Sequence, residues 1–288
     1  MAVFLGIDGG GTGCRAVVAD AAGCVLGRGQ GGPANINTDV RLAADSILAA
    51  TEQAVAGTGI DPRRLTAVLG LAGGTMQGAV ARLTEHLPFA RLRIVNDGIT
   101  TARGALGAED GVLAAMGTGS VFAVQRGGQV RQVGGRGFLL GDQGSGAVLG
   151  RALLARALLA SDDLAPMTPL LRAVLDEHGG IEGIIEFGNR ARPVDFARLA
   201  PRLLEGDPAA QPILSEATAQ VAQILTILRA GGDLPVVFTG GLGAHYAARL
   251  QHDFPIRPAR GTGLDGALAM AIGMGAIGMG AIGIDCGR

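Results

Sequence analysis

Short apolar runs interrupted by polar and glycine positions open the chain and predict three strands, at about Val3 to Asp8, Cys14 to Asp20 and Cys24 to Gly29. A helix is predicted over about Asp39 to Ala56, then an apolar strand at Thr66 to Leu71, a second helix, and a strand at Leu92 to Asn96. The series then restarts. Gly111 to Met116, Ser120 to Gln125 and Gln129 to Val133 again read as strands joined by glycine turns. Helical stretches follow, then a strand at Pro235 to Thr239 and another helix. Two copies of a mixed α/β unit are the economical reading. The boundary falls near Gly107 to Asp110, giving one domain over 1–108 and a second over 109–288. The second carries a helical insert at about 151–232, punctuated by Pro166, Pro169, Pro193 and Pro201, and its last helix is a candidate to pack back on the first domain.

A chain of 288 residues is long enough for two cores of ordinary size. The formal net charge of -1, without a long run of either sign, gives no footprint for a nucleic acid. With no Trp, one Tyr and 50 Gly, any ligand is expected to be held largely by backbone rather than by aromatic stacking. Cys14, Cys24 and Cys286 form no C-x-x-C pair and suit reduced thiols, so a cytoplasmic location is expected. The uncharged stretch from Gly266 to Ile284, with its Met-Gly-Ala-Ile-Gly repeat, reads as a buried C-terminal helix running into a duplicated tail. Its dense glycine argues against a membrane span.

Two turns carry candidate chemistry. In Asp8-Gly9-Gly10-Gly11-Thr12 the glycines remove side-chain bulk and permit positive φ, so that successive amides can converge on phosphate oxygens while Thr12 adds a hydroxyl. Asp8, at the strand end, is placed to hold Mg²⁺ or its waters. Gly117-Thr118-Gly119-Ser120 repeats the arrangement in the second half. Either turn also reads as a tight hairpin. Asp97 ends an apolar strand and is equally suited to cap the helix that follows.

The order of motifs is more specific than any one of them: Gly6-Ile7-Asp8-Gly9-Gly10-Gly11-Thr12, Val95-Asn96-Asp97, Met116-Gly117-Thr118-Gly119-Ser120, and Phe238-Thr239-Gly240-Gly241-Leu242. This order resembles the sugar kinase, Hsp70 and actin superfamily. Within it the chain is similar to the amino-sugar kinases grouped with the BadF/BadG/BcrA/BcrD ATPases, over nearly its whole length. The most family-specific stretch is Gly134-Gly135-Arg136 with Gly141-Asp142-Gln143-Gly144-Ser145-Gly146.

The resemblance implies two duplicated actin-like, ribonuclease H-like α/β domains with a nucleotide cleft that closes over ATP. It assigns Gly9, Gly10, Gly11 and Thr12 to one phosphate loop, and Gly117, Thr118, Gly119 and Ser120 to the other. Gly240 and Gly241 become the adenosine contact, Asp8 the Mg²⁺ carboxylate, and Asp97 the base that accepts a proton from the attacking sugar hydroxyl. For the sugar it implies Asn35, Asp97 and Asp142, supported by Gly141 and Gln143. Loop capping is the competing reading for Asn35 and Asn37, and capping of the helix near Ser145 that for Asp142. Val121 stands where the animal N-acetylglucosamine kinases carry asparagine, which favours glucosamine over its acetylated form as the substrate phosphorylated at the 6-hydroxyl. A homodimer is implied by the family alone. The rival from another class is an ATPase switch that activates a partner enzyme through an iron-sulfur cluster, for which the cysteines are poorly placed.

Overall fold

A computed structural model describes residues 2–277 of the chain, without side-chain placement for the last two. The elements in order are β1 (Val3–Gly9), β2 (Cys14–Asp20), β3 (Val25–Gly31), α1 (Val40–Val55), β4 (Thr66–Leu71), α2 (Gln77–Thr84), β5 (Arg91–Asn96) and α3 (Asp97–Leu106). There follow β6 (Gly111–Met116), β7 (Ser120–Arg126), β8 (Gln129–Gly134), α4 (Gly146–Ser161), α5 (Pro169–His178), α6 (Gly180–Arg190) and α7 (Pro193–Ala197). The chain continues with α8 (Ala210–Arg229), β9 (Val236–Thr239), α9 (Gly243–Leu250), β10 (Ile256–Arg257) and α10 (Gly263–Ile277).

Two compact units result. The first takes the chain up to Asp110, the stretch Gln125–Arg131, and everything described from Ala259 on; the second takes Gly111–Val124 and Gln132–Pro258. The mixed α/β architecture expected from the sequence is present, with one strand order used twice. The sheets run β3-β2-β1-β4-β5 and β8-β7-β6-β9-β10. Only β10, two residues long, has no counterpart in the sequence reading, because so short a strand leaves no period to detect.

In the first unit β1, β4 and β5 are parallel, and their register aligns Gly9, Leu71 and Asn96 at one edge of the sheet. The core beneath them is built from Leu5, Ile7, Leu69 and the apolar face of α1, where Ala43, Ile47, Ala50 and Ala54 recur at helical spacing. Alternate glycines on β3 let that helix lie flat on the sheet. A Cβ on Gly27, Gly29 or Gly31 would fall 1.9, 2.0 or 2.1 Å from the carbonyl oxygens of Ala54, Ala50 and Ser46, respectively. The periods match, since two strand residues and four helix residues advance the chain by similar distances.

The other face of this sheet is covered by α3 and α10, with Phe4, Val68, Val95, Ala267 and Ala271 buried between them. Here too backbones touch. A Cβ on Gly266 would come within 1.9 Å of the Thr100 oxygen, and one on Gly104 within 1.8 Å of the Thr262 oxygen. Among the described residues no helix is long and apolar enough to cross a membrane. The remainder of the repeated tail, together with Cys286, lies outside the described residues.

In the second unit Phe122, Met116, Val221 and Tyr246 lie in a core shared by the sheet, α4, α8 and α9. β6 and β9 are parallel and pair Ala115 with Thr239, so the turns following both strands emerge at the same edge.

Two glycines of α10 separate packing from propensity. Gly266→Ala should lower stability by about 1–3 kcal/mol through overpacking against α3. Gly273→Ala, which meets no atom within 4 Å, should raise it by up to about 1 kcal/mol through helix propensity. Thermal unfolding midpoints moving in opposite directions are the expected outcome; two shifts of the same sign would contradict the close α3–α10 contact.

Candidate active site

The first unit gathers two carboxylates at its sheet edge. An open pocket of about 470 Å³ is lined by Asp8, Gly9, Gly10, Thr12, Arg15 and Asp97, among others. The register explains the convergence: Asp8 and Gly9 end β1, and Asn96 and Asp97 follow from β5 two strands away. Asp97 does not take the N-cap position that its place in the sequence suggested. Asn96 is the N-cap of α3, its Oδ1 accepting from the Gly98 amide at 3.0 Å, while Asp97 occupies the first helical position. Asp97 Oδ1 accepts from the same amide at 2.9 Å. Burial pushes the Asp97 carboxyl above its ordinary range, the Gly98 amide opposes the shift, and the negative charge of Asp8 adds to it.

The three glycines act differently from expectation. None of Gly9, Gly10 and Gly11 has positive φ, so the turn does not need them for left-handed backbone, and only Gly9 is required for space. A Cβ on Gly9 would lie 2.8 Å from Leu71 and 2.9 Å from Ala34, whereas Gly10 and Gly11 face open space. The Gly10 amide is committed to the Gly13 oxygen at 3.0 Å, and so is not free for a ligand. Among the described residues the amides of Gly11 and Thr12 and the Thr12 hydroxyl have no partner. They make a small cradle of donors beside Asp8.

Arg15, which the sequence reading passed over, donates from its guanidinium to Asp8 Oδ2 at 2.6 Å. Its only sequence signal is a charged position between the buried Cys14 and Ala16 on β2. Gly263, the first residue of α10, lies so close that a Cβ there would be 3.1 Å from Asp8 Oδ1.

Asn35 is tied to this loop by its neighbours, since the Ala34 amide donates to the Gly10 oxygen at 2.8 Å. Its Oδ1 accepts from the Asn37 amide at 3.0 Å, so it forms the local turn, and it is not among the residues lining the Asp8 pocket.

The second unit builds its own site around Asp142. Ser145, rather than Asp142, caps α4 by accepting from Val148. Asp142 is buried, adopts φ of +58°, and places its carboxylate against the second glycine loop: a Cβ on Gly119 would be 2.7 Å from Asp142 Oδ2. The Gly137 amide donates to Asp142 Oδ1 at 3.1 Å. Burial raises the Asp142 pKa, while the amides of Gly137 and Ser120 pull it down. Ser120 Oγ donates to the Gln143 oxygen at 2.8 Å, and the Gly146 and Ala147 amides donate to the Gly117 and Thr118 oxygens, so Gly117 to Ser120 and the segment from Gly141 to Ala147 form one hydrogen-bonded assembly.

Gly240 joins it from β9. Its φ is +83°, and a Cβ would lie 2.4 Å from the Met116 oxygen, so glycine is required here by the neighbouring backbone; Gly241 next to it faces open space. Only Gly241 therefore has the uncovered surface that the sequence reading gave to both.

The chain as a whole has known relatives. A profile of the BadF/BadG/BcrA/BcrD ATPase family matches residues 5–253, and the chain belongs to that family. The glucosamine kinase of Vibrio cholerae is 34% identical over 251 residues, covering 84% of this chain and 85% of that protein. The N-acetyl-D-glucosamine kinase of Dictyostelium discoideum is 29% identical over 272 residues, covering 83% and 85%. Among solved structures, a Chromobacterium violaceum protein described as a candidate N-acetylglucosamine kinase matches at a TM-score of 0.84 and 31% identity, covering 94% of this chain and 99% of its own. A ROK family glucokinase from Streptomyces griseus shares the fold at a TM-score of 0.58 and 19% identity, covering 93% and 99%.

Because the partly buried Asp97 binds its proton more tightly in the folded chain than in the unfolded one, its ionisation costs stability as pH rises through the raised folded pKa. Asp97→Asn should therefore unfold at a higher temperature than wild type near neutral pH, with the gap closing as pH falls below the ordinary carboxylate range. Paired melting curves from pH 3 to pH 8 measure this; a gap independent of pH would mean that the carboxylate is not strained by burial.

Proposed function

We propose that this protein is an amino-sugar kinase that transfers the γ-phosphoryl group of ATP to the 6-hydroxyl of glucosamine, giving glucosamine 6-phosphate and ADP. The observation that carries the reading is the single pocket holding Asp8 and Asp97 beside a glycine loop with unpartnered donors. The glucosamine kinase and N-acetyl-D-glucosamine kinase to which the chain is similar supply the acceptor class.

In the reaction Asp97 accepts the proton of the sugar O6–H as the bond from O6 to phosphorus forms and the bond from phosphorus to the ADP oxygen breaks. Burial suits the carboxylate to this work by raising its proton affinity. The Gly11 and Thr12 amides and the Thr12 hydroxyl bind phosphate oxygens, Gly117 to Ser120 form the second phosphate loop, and Gly240 and Gly241 border the adenosine. Asp142 and Asn35 bind sugar hydroxyls, with Gly141 and Gln143 shaping the same loop. Asp142 also offers a charge to a protonated sugar amine.

Asp8 fits the role of magnesium carboxylate. Among the described residues no cluster of three His, Cys, Asp or Glu forms a dedicated metal cage, and a magnesium ion ordinarily takes one or two carboxylates together with phosphates and water. Bound there, the ion would neutralise phosphate charge. Arg15, now paired with Asp8, would then share that carboxylate with it. We read the enzyme as a cytoplasmic homodimer that keeps Cys14 and Cys24 as free thiols.

N-acetylglucosamine is the second reading, favoured by the Dictyostelium and Chromobacterium relatives. A coupled ADP-release assay against glucosamine, N-acetylglucosamine, glucose and mannosamine separates the two. Asp97→Asn should lower turnover by about a hundredfold or more while ATP still binds; near-normal turnover would remove Asp97 as the base. Asp142→Ala should raise the KM for sugar, and an effect confined to the KM for ATP would contradict its placement. ATP binding without sugar-stimulated ADP release would instead indicate an ATPase switch.

A further inference from the structure

In the second unit the half-buried Gln132 has a side-chain oxygen buried without a partner, on the strand that leads into the assembly holding Asp142. Strand periodicity sets it there. β7 sends Phe122 and Val124 into the core, so Val121, one residue before Phe122, faces the other way; β8 sends Val133 toward that core, so Gln132 shares the outward face with Val121. The two side chains meet over Gly135. That glycine has φ of +63°, and a Cβ on it would lie 3.0 Å from Val121 Cγ2 and 3.1 Å from Gln132 Nε2. Two residues further on, the Gly137 amide donates to Asp142 Oδ1. One short loop thus connects Gln132, Val121 and the Asp142 carboxylate.

Gln132 Oε1 is buried and accepts no hydrogen bond, and the side chain makes none with the described residues. A buried amide oxygen left in that state is costly, and turning the amide over would only leave an N–H orphaned at the same point. The structure therefore holds a polar group in reserve, with an apolar wall on one side and a carboxylate on the same loop. Its natural complement is a donor-bearing group attached to a carbon skeleton. An ammonium and the N–H of an acetamide both supply such a donor to Gln132, and the ammonium alone also carries a charge complementary to the Asp142 carboxylate.

We propose that Gln132 is a specificity residue for the sugar, its side-chain amide receiving the N–H of the nitrogen substituent at C2 beside Val121. The proposal rests on the amino-sugar kinase reading above and deepens it by naming which group the second unit recognises.

The test is steady-state kinetics of wild type, Gln132→Leu and Gln132→Glu with glucosamine, N-acetylglucosamine and glucose. Gln132→Leu keeps the bulk and removes the polar end. It should lower kcat/KM for glucosamine by about tenfold or more, with the KM for ATP within about twofold of wild type. Gln132→Glu adds a charge opposite the ammonium and should shift the ratio of glucosamine to N-acetylglucosamine efficiency toward glucosamine by about tenfold. A purely structural role would depress all three sugars and ATP alike and leave the ratio unmoved. That outcome, or wild-type glucosamine kinetics in Gln132→Leu, overturns the proposal. Should Gln132→Leu fail to fold, the ratio in Gln132→Glu decides alone. Wild-type protein without activity on either amino sugar would instead overturn the kinase reading itself.

Discussion

Three parallel strands in register hold the first unit's site together. Because β1, β4 and β5 run the same way and align Gly9, Leu71 and Asn96, residues almost ninety positions apart emerge at one edge of one sheet. Parallel sheets collect their strand ends and the loops that follow, which is where ligands of such folds bind. The pocket that holds Asp8 and Asp97 depends on this alignment. A slip of one residue in β5 would turn its side chains to the opposite face and separate Asp97 from the Asp8 pocket.

Around that edge, neighbouring residues divide the structural and chemical tasks. Asn96 closes the first turn of α3, which leaves Asp97 able to sit partly buried with a raised proton affinity. Ser145 does the same for α4, leaving Asp142 against Gly119. In each case a polar residue with no charge satisfies the helix, and the adjacent or nearby carboxylate is held in an environment that a cap would not need. Burial of a carboxylate is unfavourable, and its persistence at two such positions is what a functional site looks like in physical terms.

Glycine supplies the remaining precision in ways that sequence cannot separate. Gly9 and Gly240 are glycine because neighbouring residues, the Leu71 and Ala34 side chains at one and the Met116 backbone at the other, already occupy the space of a Cβ. Gly10, Gly11 and Gly241 face openings that a ligand could fill. The same residue type in consecutive positions thus serves packing at one and access at the next. The division depends on what lies across the turn.

The sequence by itself determined the strands, the doubled unit and the family, because strand periodicity, strand-end carboxylates and glycine turns are local features written in consecutive residues. Its order of motifs also pointed to Asp8 and Asp97, and the family resemblance of the stretch from Gly141 to Gly146 pointed to Asp142. Only the tertiary structure decided that Asn96 and Ser145 are the caps, that Arg15 pairs with Asp8, that α10 packs with α3 on the first sheet, and that Gln132 lies unpartnered over Gly135. Each of these is a contact between residues whose neighbours in space are not their neighbours in sequence. A side chain's choice among competing hydrogen-bond partners is settled only when all of them are brought within reach.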